Sequence, residues 1–339
     1  MSVSHHNGGA KFQTSAVITA IGAYVPQRIL TNADLEQMVD TNDEWIVQRT
    51  GIRERRIAAE GEFTSDLCFA AVRNMMQRYE VTVEDADYIL VATATPDTFF
   101  PQMAARVQAE FGIRAAGAAD IAAACAGYVT ALQMAGGLIA SGAFRKILVI
   151  GAETLSKITD YTDRTTCILF GDGAGAALVE AGAEGSSPSW LSAFAATDGS
   201  EGHQLYRSSL ADRIGGHPID PSGKLVQNGR AVYRWAISKV PDSINSFLET
   251  SGVTPAEVDW FAPHNPNMRI LEVVSEKTGI PLQRTVTTLA HTGNTSAASI
   301  PIALSEAVLD GRLRAGHLVL LHGFGGGLTQ SGLLLRWAI

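Results

Sequence analysis

VTVEDADYILVA, residues 81–92, and VTPAEVDWFA, residues 253–262, carry one pattern twice. Each opens on Val-Thr, closes on an aspartate and runs directly into an apolar stretch. Val81 and Val253 are 172 positions apart, and so are Asp87 and Asp259. Working outward, a helical stretch precedes each copy, over residues 65–78 and 233–249. A second apolar run follows each, at 147–151 and 318–321, then a glycine-bearing segment and a last apolar run at 174–179 and 332–337. Two short segments can match by chance; several elements at nearly one offset argue for two α/β units related by duplication. The break falls at residues 181–189, AGAEGSSPS, rich in Gly, Ser and Pro. The expected organisation is an arm over residues 1–14, an N-terminal half over 15–185 and a C-terminal half over 186–339.

Composition narrows the class. With 339 residues, 46% hydrophobic and 18% charged, the chain can bury a large core. A net charge of −8 argues against a nucleic-acid scaffold, while leaving room for a local basic patch. Three widely spaced cysteines, Cys68, Cys125 and Cys167, suggest neither a disulfide framework nor a metal site, and fit a reducing cytoplasm. Residues 1–14, MSVSHHNGGAKFQT, lack apolar periodicity and read as a loose arm, with His5 and His6 as solvated tail residues. Residues 121–140 are alanine-rich but interrupted by Gly, Tyr, Thr and Gln, which reads as a buried helix and not a membrane span. The irregular stretch 199–227, with His203 and His217, is long enough to be a functional cover.

DIAAACAGYVTAL, residues 120–132, reads as a strand end, a tight turn and a buried helix. Cys125 then falls at the helix start, where unpaired N–H groups and the macrodipole favour a thiolate. Its neighbours Ala122–Ala124, Ala126 and Gly127 are small and leave room for a thioester. Cys68 and Cys167 read as structural. FAPHNPN, residues 261–267, follows the strand of the second copy, and LAHTGNTSAA, residues 289–298, sets Asn294 in a small-residue loop. Cysteine, histidine and asparagine make a nucleophile-and-helper set, with His264 in the loop position where α/β folds place chemistry. HGFGGG, residues 322–327, lacks the Lys-Ser/Thr of a phosphate loop and fits an oxyanion hole of backbone N–H groups better.

Together with TNADLEQMVDTNDEWIVQRTGIRERRIA (31–58), TDRTTCILFGDGAGA (162–176) and HTGNTSAAS (291–299), these segments resemble the 3-oxoacyl-[acyl-carrier-protein] synthase III family over residues 16–337. The resemblance implies a thiolase-like fold, two duplicated halves in a five-layered α-β-α-β-α sandwich, and a cytoplasmic homodimer. It implies a decarboxylative condensation of a short acyl-CoA with malonyl-[acyl-carrier-protein], with acyl-CoA as substrate and no resident cofactor or metal. Cys125 would be the nucleophile, with His264 and Asn294 donating to the malonyl thioester oxygen and the N–H groups of Cys125 and Gly326 forming the oxyanion hole. Trp45 and Arg164 would sandwich adenine, with Thr41, Arg49 and Asn267 along the rest of CoA. Arg234 and Arg269 would receive the acidic carrier protein, and Phe100 would reach across the dimer to line the acyl pocket.

The chain departs from the family's pattern at Pro266, Glu276, His322, Gly323 and Gln330, and the stretch 201–226 is longer and more polar than expected. Within the same fold, an acyltransferase or a condensing enzyme of secondary metabolism with another acceptor is the main alternative. A cysteine hydrolase is a second, although no acid lies near His264 in sequence. A binding protein that merely kept the fold is a third, and the intact Cys, His and Asn set argues against it.

Overall fold

The structure, a computed structural model, describes residues 9–339. His5 and His6 lie outside the described residues. Two five-stranded sheets organise the chain. The first orders the strands Ala16–Tyr24, Asp172–Ala181, Lys146–Thr154, Tyr88–Ala92 and Gly117–Ile121. The second orders Ala10–Thr14, Trp190–Thr197, Thr329–Arg336, Leu318–Gly325 and Trp260–Pro263.

The repeat seen in sequence is carried into the hydrogen bonding. Asp87 accepts the backbone N–H groups of Arg145 and Lys146 at 2.7 and 2.9 Å, and Asp259 accepts that of Leu318, 172 residues after Lys146, at 2.8 Å. Each aspartate therefore anchors the start of a parallel pair. Tyr88 lies opposite Ile147 in one half and Trp260 opposite Val319 in the other, again 172 residues on.

Alternation along the strands builds the layers. In Lys146–Thr154, Ile147 and Val149 face a core shared with the helices Gly127–Ala140 and Ser299–Leu309. Leu148, Ile150 and Ala152 face the outer helices Thr64–Tyr79 and Met103–Glu110. Val319 and Leu321 likewise turn to the central helices, while Leu318, Leu320 and Phe324 turn to the outer helices Gly229–Ser251 and Met268–Thr278. The result is the α-β-α-β-α sandwich. Burial of each such aliphatic side chain contributes about 1.5–3 kcal/mol. Among the described residues no helix is long and apolar enough to cross a membrane.

One expectation is corrected. Residues Ala10–Thr14 are not a loose arm but an edge strand, antiparallel to Trp190–Thr197. Phe12 packs on the central core, and its ring lies 2.9 Å from where a Cβ on Gly136 would be, so the glycine makes room for it. This strand joins the second sheet although it precedes the first in sequence.

Candidate active site

The N-terminal ends of the two central helices meet. Cys125 lies in the 3₁₀ turn Ala124–Ala126, just before Gly127–Ala140. Asn294 precedes the turn Ser296–Ala298, which leads into Ser299–Leu309. His264 follows the strand Trp260–Pro263, and Gly325 ends Leu318–Gly325. Ala124 and Ser296 adopt φ of 44° and 48°, and they too are 172 positions apart. Left-handed backbone at a non-glycine residue costs on the order of 1 kcal/mol and concentrates at functional sites. Here the duplication places it twice, once beside the cysteine and once beside the asparagine.

Ser296 is a hub. Its N–H donates to Asn294 Oδ1 at 2.9 Å, which leaves the asparagine's NH₂ as the end available to a ligand. Its carbonyl accepts the Ser299 hydroxyl at 2.8 Å, and Ser299 Oγ lies 2.9 Å from His264 Nδ1. Ser299 Oγ also takes the Asn265 N–H at 3.3 Å. His264 is 2% exposed, and burial pushes its pKa down to about 3, so the ring is neutral at ordinary pH. Ser299 has one hydroxyl proton to give. With that proton on Ser296 O, His264 Nδ1–H donates to Ser299 Oγ; a proton on Nε2 requires the hydroxyl to turn to Nδ1.

Cys125 behaves differently from the expectation at a helix start. Cys125 is 9% exposed, and burial pushes its pKa up to about 12. The resting residue is a thiol, because desolvation outweighs the helix end. Gly325 packs directly on it: a Cβ there would lie 2.9 Å from Cys125 Sγ.

These groups open into one cavity of about 760 Å³. Cys125, His264, Asn294, Gly326, Trp45, Arg49, Asn267 and Arg269 all line it, so most of the residues singled out in sequence converge. Among the described residues four arginines line it (Arg49, Arg207, Arg230 and Arg269) and no aspartate or glutamate does, although the chain carries −8 overall. Such a field favours a polyanionic ligand. The stretch 199–227 forms part of the cover: Leu205–Arg207 pairs with Leu225–Gln227, and Leu205, Tyr206, Leu225 and Gln227 face the cavity. His203 and His217 stack with centroids 3.8 Å apart.

Arg164, Thr41, Arg234 and Phe100 lie outside that lining. The Arg164 guanidinium covers the Trp45 ring at 5.0 Å and contacts Asp40 at 3.2 Å, so a purine enters between them only after Arg164 shifts. Asn267 caps the helix Met268–Thr278 through the Arg269 N–H and donates to Arg49 O at 3.1 Å. The Thr41 hydroxyl is buried without a partner among the described residues. Arg234 is exposed on the outer helix, and Phe100, 86% exposed, lies outside the cavity of its own chain. Sequence reading passed over Ser296, Ser299, Arg207 and Arg230. Ser296 and Ser299 lay inside a quoted motif, but their contacts depend on how the turn folds.

The departures have local structural answers. His322 Nε2 lies 3.2 Å from Gln330 Oε1, so these two unusual residues pair in the buried second sheet. Buried Asn265 donates to Pro263 O and accepts the Thr288 N–H, bracing the turn that Pro266 stiffens. Glu276 is exposed.

Comparison with known proteins agrees with this architecture. Residues 119–199 match the family described as 3-oxoacyl-[acyl-carrier-protein (ACP)] synthase III, and residues 248–337 match its C-terminal region. Beta-ketoacyl-[acyl-carrier-protein] synthase III 2 of Halalkalibacterium halodurans is 54% identical over 326 residues, covering 96% of this chain and 98% of the relative. The protein of that name from Bacillus subtilis is also 54% identical, covering 96% and 100%. The crystal structure of the Thermus thermophilus beta-ketoacyl-[acyl carrier protein] synthase III superposes with a TM-score of 0.90 at 45% identity, over 95% of this chain and 99% of that one. The chain belongs to the 3-oxoacyl-[acyl-carrier-protein] synthase III family.

Proposed function

We propose that the chain condenses a short acyl-CoA with malonyl-[acyl-carrier-protein], giving 3-oxoacyl-[acyl-carrier-protein], CoA and CO₂. The observation that carries this is the convergence of Cys125, a neutral His264 and Asn294 on one arginine-lined cavity. Cys125 attacks the thioester, the N–H groups of Cys125 and Gly326 hold the oxyanion, and CoA leaves. Malonyl carrier protein then enters, and decarboxylation places negative charge on its thioester oxygen. His264 Nε2–H and the Asn294 NH₂ donate to that oxygen, and the carbanion attacks the acyl-cysteine. A histidine held by a serine and not by a carboxylate suits donation to an enolate better than activation of water.

Thr41, Trp45, Arg49, Arg164 and Asn267 serve CoA, and Arg234 and Arg269 meet the acidic carrier protein. Phe100 serves the acyl pocket of a second copy in a cytoplasmic homodimer; exposure of both Phe99 and Phe100 supports that placement.

The test is release of CO₂ and CoA in equal amounts, dependent on both acyl-CoA and malonyl carrier protein. Trp45→Ala is expected to raise KM for acyl-CoA about tenfold with little change in kcat, as stacking worth about 1–2 kcal/mol is lost. CoA release without carrier-dependent CO₂ refutes the condensation.

A further inference from the structure

The segment GIRERRIA, residues 51–58, supplies none of the groups assigned above, yet it buries a charge. Arg55, in the strand Glu54–Ile57, is 0% exposed. Among the described residues none of its hydrogen bonds goes to a carboxylate. Its Nε and Nη2 both donate to Ile168 O, at 3.0 and 2.5 Å, and its Nη1 donates to Asn32 Oδ1 at 2.5 Å. Burial lowers its pKa to about 10, so the guanidinium is still charged at neutral pH. A charge held this deep is costly unless its N–H groups find partners, and an apolar side chain could fill the same space without that cost. What Arg55 grips accounts for its presence.

Ile168 belongs to a segment that holds Asn294 from both sides. The Asn294 N–H donates to Leu169 O at 2.9 Å, and Asn294 O accepts the Gly171 N–H at 3.0 Å. Gly293, immediately before, has φ of 69° and ψ of −170°, a backbone conformation reserved for glycine. A Cβ there would lie 2.9 Å from Arg55 Cγ and 3.0 Å from Leu169 O. The Arg53 N–H donates to Ala290 O at 2.9 Å, so the chain around Arg55 follows the same loop. Arg55 therefore meets the asparagine's surroundings twice. Its stem packs beside Gly293, and its head fixes the carbonyl one residue before the one that receives Asn294.

The opposite side of the guanidinium leads toward the cavity mouth. Asn32, 2% exposed, donates through Nδ2 to Asp43 Oδ1 at 2.7 Å and to Ile52 O at 3.0 Å. Asp43 opens the helix Asp43–Thr50, which carries Trp45 and Arg49 into the cavity lining. The far end of that helix is tied to the loop after His264. Asn267 Nδ2 donates to Arg49 O at 3.1 Å, and Arg269 Nε donates to Gln48 O at 2.9 Å. One short helix is thus braced against the surroundings of both side-chain donors.

We propose that Arg55 is a positioning residue for Asn294, gripping the segment on which the asparagine rests and tying it through Asn32 and Asp43 to the helix that carries Trp45. The proposal rests on the reading of Asn294 as a donor to the second substrate. Arg55 does not line the cavity, so its effect passes through the placement of the asparagine. Lysine at this position keeps the charge but lacks the planar fork that spans Ile168 O and Asn32 Oδ1.

The experiment measures both half-reactions in the native protein, Arg55→Lys, Asn294→Ala and the double variant. Acylation of Cys125 is followed by intact mass at saturating acyl-CoA, and discharge of the acyl-enzyme by CO₂ release from malonyl carrier protein. In Arg55→Lys the discharge is expected to slow about 10- to 100-fold, while acylation stays within about threefold of native. In the double variant the discharge should stay within about twofold of Asn294→Ala, because misplacing a side chain that is already absent costs nothing more. Equal loss of both half-reactions, or losses that multiply in the double variant, would mark a role in stability alone and overturn the proposal. Should Arg55→Lys not fold, Asn32→Ala, which strips the guanidinium of its partner at Nη1, takes its place in the same comparison. Native CO₂ release in Asn294→Ala refutes the reading of that residue as a donor. The crystal structure of Arg55→Lys then decides the positioning, which stands if Asn294 has left its bond to Leu169 O and falls if it has not.

Discussion

Alanine at His264 or Asn294 leaves Cys125 able to take an acyl group but stops the carbon–carbon bond. In the proposed mechanism both side chains act on the second substrate, whose thioester oxygen gains charge only during decarboxylation. Removing one such donor costs on the order of 100- to 1,000-fold in the condensation step. Acyl transfer from CoA is proposed to depend instead on the backbone N–H groups of Cys125 and Gly326, which neither substitution removes. Intact-protein mass reports the acyl-enzyme, and CO₂ release from malonyl carrier protein reports the second half. Because burial holds His264 neutral above about pH 3, condensation by the acyl-enzyme should show no imidazole break near pH 6.5. Equal loss of both half-reactions in His264→Ala would mean that the histidine serves the cysteine and not the enolate.

Gly325→Ala is expected to cripple acylation far more than Gly326→Ala. A Cβ at 325 meets Cys125 Cβ at 2.8 Å and Sγ at 2.9 Å, whereas at 326 the nearest atom is Leu205 O at 3.3 Å. The strand cannot retreat easily. Gly325 is paired with Thr329, and Gly323 already sits where a Cβ would be 2.7 Å from Ala126 Cα. The cysteine must therefore move, and a displacement approaching 1 Å costs roughly 100-fold in rate. Overpacking should also lower stability by about 1–3 kcal/mol, read as a drop in Tm. A Gly325→Ala protein that acylates at the native rate would show that the sulfur does not react from this position.

The duplication was legible because strand anchoring is local. Asp87 and Asp259 sit at the start of their strands and accept N–H groups from the neighbouring strand, so their spacing survives as text. The cysteine, histidine and asparagine were legible for the same reason, each in a short segment of distinctive composition. The charge state of Cys125 was not. A helix start can be read from sequence, but the burial that outweighs it comes from strands and turns far along the chain. Ala10–Thr14 was missed because its partner strand lies some 180 residues later and its alternation is short. The arginine rim was hidden by net charge, which sums over the whole surface and says nothing of one cavity.

The most direct measurement is the intact mass of the protein after mixing with a panel of acyl-CoAs, beside Cys125→Ser. The native protein should gain one acyl group at Cys125, and malonyl carrier protein should discharge it with release of CO₂, while the variant forms no acyl-enzyme that turns over. Absence of acylation at Cys125 with every donor, or an acyl group that malonyl carrier protein leaves in place, would contradict the mechanism.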